Sequence, residues 1–230
     1  GRSGLLASVQ GAALLLGTLV LGVAGTLACS RLLSATVLKG MPSSFALELP
    51  PFRKPRVGEV IVRSVLDRTL FVLGRAVAVA APAGAVIWLM ANVTVGDATL
   101  LAHCTGFLDS FARLFGLDGV ILMAFLLGWP ANEIVLPVML MAYLATGSLV
   151  EFDDLTALGR LLTQHGWTWR TAVCTMLFSL FHWPCSTTCL TIYKETGSVR
   201  WTALAIALPT ALGLGLCLCV SALTRVLGMP

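Results

Sequence analysis

Two polar stretches of this 230-residue chain carry side chains that could bind a metal ion. Residues 180–198 read LFHWPCSTTCLTIYKETGS, and residues 128–133 read GWPANE. Imidazole, thiolate and carboxylate groups suit a borderline divalent ion of the first transition row, and weak shared ligation lets an ion leave as well as enter. We therefore expect a cation path, and its candidate metal ligands are Glu133, Cys185, His182, Ser186, Cys189 and Asn132.

Pro184 occurs where a membrane helix would carry an apolar residue. A proline removes one backbone hydrogen bond and clashes with the preceding turn, which frees carbonyl groups near Leu180, and freed carbonyls suit cations. If the helix resumes after the break, His182, Cys185 and Cys189 have i, i+3 and i+7 spacing and share one face. Two plainer interpretations remain open: His182 as a hydrogen-bonded core residue and Cys189 as a packing residue.

Gly128 and Pro130 interrupt a second helical pattern and bring polar groups to membrane depth. A carboxylate there costs a few kcal/mol, so it normally faces a cavity or a partner. Glu133 is the strongest single candidate and is expected to point into the helix bundle. The alternatives are pairing with a residue such as Arg170 or reaching the interface. Asn132 is expected to cap the helix that restarts after the break.

Composition assigns the elements that carry these residues to a membrane. Hydrophobic residues make up 57% of the chain, charged residues 11%, and the mean hydropathy is +0.92. Six runs lack Asp, Glu, Lys and Arg: 3–30, 76–96, 119–132, 134–150, 171–193 and 201–224. Four could span alone, because about 20 helical residues cross the hydrocarbon. The runs 119–132 and 134–150 are expected to be halves of a re-entrant hairpin. The predicted fold is an all-α, polytopic helical membrane protein with broken or re-entrant helices and interfacial amphipathic helices.

The charge distribution divides the chain. Eight of the fifteen Lys and Arg residues lie in 31–75, and basic loops stay in the cytoplasm. We expect a transmembrane helix in 1–33 and a cytoplasmic segment in 34–75, which has three prolines within residues 50–55 and an amphipathic helix from Glu59. The rest, 76–230, is expected to be a membrane domain with helices broken near 128–133 and 183–186, and with an interfacial helix in 98–117. With a net charge of +4, the chain is expected to interact with anionic lipid headgroups and not with nucleic acid.

Cysteine usage and absent motifs narrow the function further. Seven cysteines is an odd number, and most fall in apolar runs, so a disulfide framework is not expected. Cys29, Cys174, Cys217 and Cys219 are expected to be packing residues. The sequence has no G-x-x-x-x-G-K-[ST] phosphate loop, no H-E-x-x-H and no glycine-rich dinucleotide turn. The chain is therefore not expected to be an enzyme by itself.

Three motifs together resemble a known family. The segments LELPPFRKP (47–55), GWPANE (128–133) and WPCSTTCLTIYKETGS (183–198), the last followed by Trp201, resemble in their order the C-terminal membrane half of FeoB, the bacterial ferrous iron transport protein B. The resemblance covers about residues 35–227. Glu133 matches the glutamate of the family's motif, and Pro184 with Cys185 matches its Pro-Cys pair, whose cysteine is proposed as a pathway thiol. Trp183 and Asn132 depart from it, since the family commonly has Thr and Lys there.

The resemblance implies a gate domain that forms part of the Fe(II) path across the bacterial inner membrane, in a multi-pass protein. It implies Fe(II) as the transported ion, and GTP acting only through an N-terminal GTPase domain that this chain lacks. The expected partners are ferrous iron, the lipid bilayer, that GTPase domain, a first gate domain and a possible homo-oligomer. Because the GTPase domain and the first gate domain are expected outside this chain, the chain is expected to be a fragment or a split subunit. The alternatives are transport of another cation or of a nucleoside-like solute, and a half that only packs and contributes no ligands.

Overall fold

The computed structural model describes residues 2–37, 39, 57–150 and 154–228. The predicted proline segment at Pro50, Pro51 and Pro55 lies outside the described residues. The chain divides into two compact units, 1–71 and 72–230. The all-α prediction is confirmed, since the only strands among the described residues are β1 (Thr94–Val95) and β2 (Ala98–Thr99), which form a two-residue antiparallel hairpin.

Ten α-helices occur in the described part of the chain. They are α1 (Arg2–Ala35), α2 (Val57–Arg63), α3 (Phe71–Asn92), α4 (Leu100–Ala112), α5 (Gly119–Leu127), α6 (Val135–Leu144), α7 (Leu155–Gln164), α8 (Trp169–Phe181), α9 (Ser186–Thr196) and α10 (Val199–Val226). A π-helical segment, Ser64–Leu70, joins α2 to α3, and short 3-10 helices follow α4 (Arg113–Phe115) and precede α6 (Asn132–Ile134).

Among its described residues, the first unit contains α1, α2 and the π-helical segment. Residues 8–35 of α1 are apolar over 28 residues, and none of the described side chains in this stretch is buried. An apolar helix of this length can cross a bilayer without covering by protein. The helix predicted from Glu59 is present and begins two residues earlier, at Val57.

Within the second unit, the number of helices that can span alone is smaller than predicted. The helix Val199–Val226 is long and apolar enough, but the run 171–193 is divided between α8 and α9. The apolar part of α3, Ala76–Asn92, lies at the short end of the range for a spanning helix. The prediction of four independent spans is therefore wrong. By length and composition, two helices of the described chain could cross a membrane, or up to three if one bent pair counts as a single span.

The bent pair is α4 with its 3-10 extension and α5, which meet at 107°. Gly116 has a left-handed backbone (φ 72°), and the Asp118 carboxylate accepts a hydrogen bond from the Ile121 N–H at 2.7 Å, which starts α5. Gly119 lies against α4 so closely that a Cβ there would be 1.9 Å from the Thr105 carbonyl oxygen. The helix predicted in 98–117 is confirmed as a helix, and the sharp turn after it was not predicted.

The core of the second unit forms around the short helices α5 and α6. Ile121, Phe125, Val138 and Met141 are buried there, and α8 packs against α10 beside them with Phe178 fully buried. The helices α5 and α6 are 9 and 10 residues long. Each is therefore about 14–15 Å long, half of the roughly 30 Å hydrocarbon layer. These lengths suit the re-entrant hairpin, whose depth in a bilayer stays a prediction.

Candidate functional site

Both predicted interruptions of helical structure are present. The first, which we call break 1, is the turn 128–131 between α5 and the 3-10 helix before α6. The second, break 2, is the segment 182–185 between α8 and α9. Gly128 is required by a close approach, because a Cβ there would be 2.4 Å from Val135 Cγ2. Pro184 cannot extend α8, because proline lacks the backbone N–H and clashes with the preceding turn.

The two breaks are joined by hydrogen bonds. The Ser186 backbone N–H donates to the Trp129 carbonyl oxygen at 2.9 Å. The Trp129 indole Nε1–H donates to the Pro184 carbonyl oxygen at 3.1 Å. The prediction that the breaks lie close together is confirmed. The prediction that they lie at mid-bilayer concerns a membrane position, and it stays a prediction.

Cys185 occupies the N-cap position of α9 with an extended backbone (φ −60°, ψ 157°). Its side chain is half-buried, and its Sγ lies 3.1 Å from Thr187 Oγ1 and 3.0 Å from Thr188 Oγ1. The turn that begins at Cys185 therefore combines a soft sulfur donor with hard hydroxyl donors. Such a set suits a borderline divalent ion that must also be released.

His182 presents one free ring nitrogen. Its Nδ1 lies 2.8 Å from the Ser179 carbonyl oxygen, and its Nε2 is buried without a hydrogen-bond partner in the described chain. Because a carbonyl oxygen only accepts, the hydrogen is assigned to Nδ1, which leaves the Nε2 lone pair available in the neutral ring. Metal-binding histidines commonly donate their other ring N–H to a backbone carbonyl in this way. The rings of Phe125 and Trp183 lie 5.1 and 6.2 Å from the imidazole, measured between centroids.

The prediction that His182, Cys185 and Cys189 share one helix face is wrong. The helix α8 ends at Phe181 and α9 begins at Ser186, so His182 lies in the break and not on the face of α9. Cys189 is buried, and its Sγ donates to the Pro184 carbonyl oxygen at 3.5 Å, in line with the packing interpretation. The Ser186 hydroxyl is buried without a partner among the described residues.

Two of the carbonyls around break 2 are already engaged. His182 approaches the Ser179 oxygen, and the Pro184 oxygen accepts from both Trp129 and Cys189. These two oxygens are therefore satisfied within the protein, and the expected set of freed carbonyls is at least partly closed to a cation.

The polar residues directly after break 1 are placed differently from the prediction. Glu133 and Asn132 are both exposed on the 3-10 turn, so the expectation that Glu133 points into the bundle is wrong for this chain. The cap prediction for Asn132 is also wrong, because Ala131 is the N-cap residue and makes no side-chain cap bond. Among the described His, Cys, Asp and Glu residues, no three converge on a common metal position. The four His, Cys and Glu candidates thus do not form one closed metal cluster.

A polar cluster at the other end of the α5–α6 hairpin was missed. The Tyr143 hydroxyl donates to the Asp118 carboxylate and accepts from Trp167 Nε1–H at 2.8 Å. His165 Nε2 lies 3.1 Å from the Tyr143 carbonyl oxygen. This cluster ties the start of α5 to the end of α6 and to the loop before α8. The residues are distant in sequence, so no local pattern could have identified it.

A cavity of about 470 Å³ lies beside break 1, in the second unit. It is lined by Ala80, Ala83, Gly84, Ile87, Trp88, Pro130, Ala131, Ile134, Met141, Gly147, Ser148 and Leu149. Only Trp88 and Ser148 among these have N–H or O–H groups on their side chains, and the Met141 sulfur is at most a weak acceptor. The cavity is thus large enough for a small molecule but almost entirely apolar.

Comparison with known proteins identifies two family matches. The family described as Gate, nucleoside recognition, matches residues 73–199, and the family described as ferrous iron transport protein B C terminus matches residues 15–67. The chain is 28% identical over 193 residues to the Fe(2+) transporter FeoB of Staphylococcus aureus strains COL and N315, and likewise to that of strain MSSA476. These alignments cover 83% of this chain and 28% of each relative, so the chain spans just over a quarter of their length. No solved structure matches the chain.

Proposed function

Because the chain belongs to the Gate family and corresponds to the C-terminal membrane part of FeoB, we propose that it forms part of the permeation path of a ferrous iron transporter. Fe(II) is then the transported substrate and not a resident cofactor. The chain then lies in a bacterial inner membrane as part of a multi-pass protein that can assemble as a homo-oligomer. Its neighbours in the remainder of the transporter are a first gate domain and a cytoplasmic GTPase domain.

The joined breaks are the observation that carries this proposal. A transporter site is commonly built where two discontinuous helices meet, because the interrupted backbone and its polar side chains can line a cavity. Here break 2 and the first residue of α9 supply the Cys185 sulfur, the free His182 Nε2 and the Ser186 hydroxyl within five residues. Conduction needs binding that is favourable enough for entry and weak enough for exit. An open set of a few ligands suits that need better than a closed tetrahedral site.

Glu133 has a separate role in this proposal. The exposed Glu133 carboxylate lies on the 3-10 helix that follows break 1 and can attract a divalent cation. Break 1 is hydrogen-bonded to the break that holds Cys185. The remainder of the transporter is expected to cover Glu133, since a carboxylate left in hydrocarbon is costly.

Transport of a nucleoside-like solute is the second candidate, favoured by the family description and by the size of the cavity beside break 1. A nucleoside carries many hydrogen-bonding groups, and burial without partners would cost free energy for each. The apolar lining of the cavity argues against this candidate. The third candidate, a half that only packs, contributes no ligand to the path.

Thiol labelling of the whole transporter in membranes distinguishes these candidates. A small water-soluble thiol reagent is added under anaerobic conditions in three samples: with Fe(II), with Mg(II) and without added ion. The labelling rate of each cysteine, including Cys185, is then measured on the peptide that contains it. We expect Fe(II) to slow the labelling and Mg(II), which prefers oxygen ligands, to leave it unchanged. Fully buried Cys217 should stay unreactive in all samples. Labelling of Cys185 no faster than that of Cys217, or insensitive to Fe(II), contradicts the proposal.

A further inference from the structure

One residue of break 1 holds the backbone on both sides of the candidate thiol. Trp129 donates its indole N–H to the carbonyl oxygen of Pro184 at 3.1 Å, and its own carbonyl oxygen accepts from the N–H of Ser186 at 2.9 Å. Pro184 and Ser186 are the immediate neighbours of Cys185. The two bonds therefore bracket Cys185 from a segment 55 residues earlier in the sequence.

The two Trp129 hydrogen bonds supply partners for backbone groups that break 2 leaves without helical hydrogen bonds. Helical hydrogen bonds stop at Phe181 and resume in α9, so the backbone groups between them need other partners. Unpaired backbone groups in an apolar surrounding each cost several kcal/mol. Cys185, as N-cap residue of α9, makes no side-chain cap bond to the helix backbone. Its Sγ contacts the Thr187 and Thr188 hydroxyls, which belong to α9 itself and do not tie the thiol to break 1. Trp129 supplies one partner on each side instead.

The Trp129 side chain is not held in place by deep burial. Its residue surface is 44% exposed, so core packing does not dictate where the indole N–H points. Cys189 also reaches the Pro184 oxygen, but at 3.5 Å and with a weakly donating thiol. The indole bond is thus the stronger of the two bonds to this oxygen.

We propose that Trp129 is a positioning residue, which fixes the direction of the Cys185 side chain and couples its position to break 1. The inference rests on the proposed function only for the claim that Cys185 meets Fe(II). A displacement of break 1, which ends two residues before Glu133, is transmitted through Trp129 to the thiol.

Two variants remove one bond each. Trp129→Phe removes the indole N–H and keeps an aromatic ring. Ser186→Pro removes the backbone N–H at the first position of α9, where proline is well tolerated, and the extended Cys185 backbone is compatible with a following proline. Ser186→Ala is the matched control, since it removes the hydroxyl and keeps the N–H. Trp169→Phe is the control for loss of another exposed tryptophan, at the start of α8.

The labelling rate of Cys185 without iron is measured in the whole transporter in membranes. We expect both bond-removing variants to raise it by about 3- to 10-fold, the factor that corresponds to one lost hydrogen bond. Trp169→Phe and Ser186→Ala should leave it near the wild-type rate. Half-buried Cys104 on α4 serves as the internal reference, because general loosening of the fold would raise its rate as well.

An unchanged Cys185 rate in both Trp129→Phe and Ser186→Pro overturns the inference, as does an equal rise at Cys104. An effect of Ser186→Ala as large as that of Ser186→Pro also overturns it, because the hydroxyl and not the N–H would then matter. The measurement uses no iron, so it can fail while Fe(II) protection of Cys185 succeeds. If Fe(II) does not slow the labelling of Cys185 in the wild type, the proposed function is contradicted, but the positioning role of Trp129 is not.

Discussion

Replacing Gly128 with alanine tests the close approach that shapes break 1. A Cβ at this position would lie 2.4 Å from Val135 Cγ2 and 2.9 Å from the Ala124 carbonyl oxygen. The first distance is about 1 Å shorter than ordinary contact, and overpacking of this kind typically costs about 1–3 kcal/mol. The reduced entropy of the unfolded chain offsets about 0.4–1 kcal/mol. We therefore expect Gly128→Ala to lower the free energy of unfolding by about 1–2 kcal/mol.

The assay is thermal unfolding of the purified protein in detergent. A loss of this size should lower the melting temperature by about 2–8 °C. Gly106→Ala is the matched control, because a Cβ at Gly106, inside α4, meets nothing within 4 Å. That variant should be neutral or slightly stabilising, since alanine is about 1 kcal/mol more favourable than glycine within a helix.

A compensating change makes the test specific to the contact. Val135→Ala removes Cγ2, so Gly128→Ala should cost clearly less in a Val135→Ala background than in the wild type. The difference between the two costs is the coupling free energy of the pair. Equal costs in the two backgrounds would refute the clash, and wild-type stability of Gly128→Ala would refute the shape assigned to break 1.

Three further predictions test other parts of the structure. Glu133→Gln should strongly reduce Fe(II) uptake by the whole transporter at normal protein level, because it removes the charge proposed to attract the ion; uptake at the wild-type rate would remove Glu133 from the path. Tyr143→Phe should destabilise the protein by about 1–3 kcal/mol in a denaturation assay, because the Asp118 carboxylate and the Trp167 indole N–H both lose the Tyr143 hydroxyl as hydrogen-bond partner. Gly119→Ala should cost about 3 kcal/mol or more, because the nearest atom to its Cβ is a backbone oxygen of α4 that cannot rotate away; unchanged stability would contradict the tight α4–α5 junction.

The sequence predicted the breaks because their causes are local. Gly128 and Pro130 stop one helix and Pro184 stops another, and both effects depend on the backbone chemistry of single residues. The long apolar helices were equally readable, since composition alone predicted spans in the runs 3–30 and 201–224, which overlap the apolar helices 8–35 and 199–226. These features required no knowledge of what lies alongside.

Features that depend on distant partners could not be predicted. The face shared by His182, Cys185 and Cys189 assumed that a helix resumes at once, whereas four residues separate α8 from α9. The inward direction of Glu133 assumed a complete bundle around break 1, and in this chain the side chain is exposed. The role of Trp129 depends on backbone groups 55 residues away, and no spacing rule links them.

Fe(II) uptake by the Cys185→Ser transporter tests the central claim most directly. The whole transporter is compared with its Cys185→Ser and Cys104→Ser variants in anaerobic membrane vesicles, at matched protein levels. Serine keeps the size of the side chain and removes the soft sulfur donor, so the path proposed here should lose most of its Fe(II) uptake in Cys185→Ser and keep it in Cys104→Ser. Uptake by Cys185→Ser at the wild-type rate would contradict the claim that this thiol meets iron.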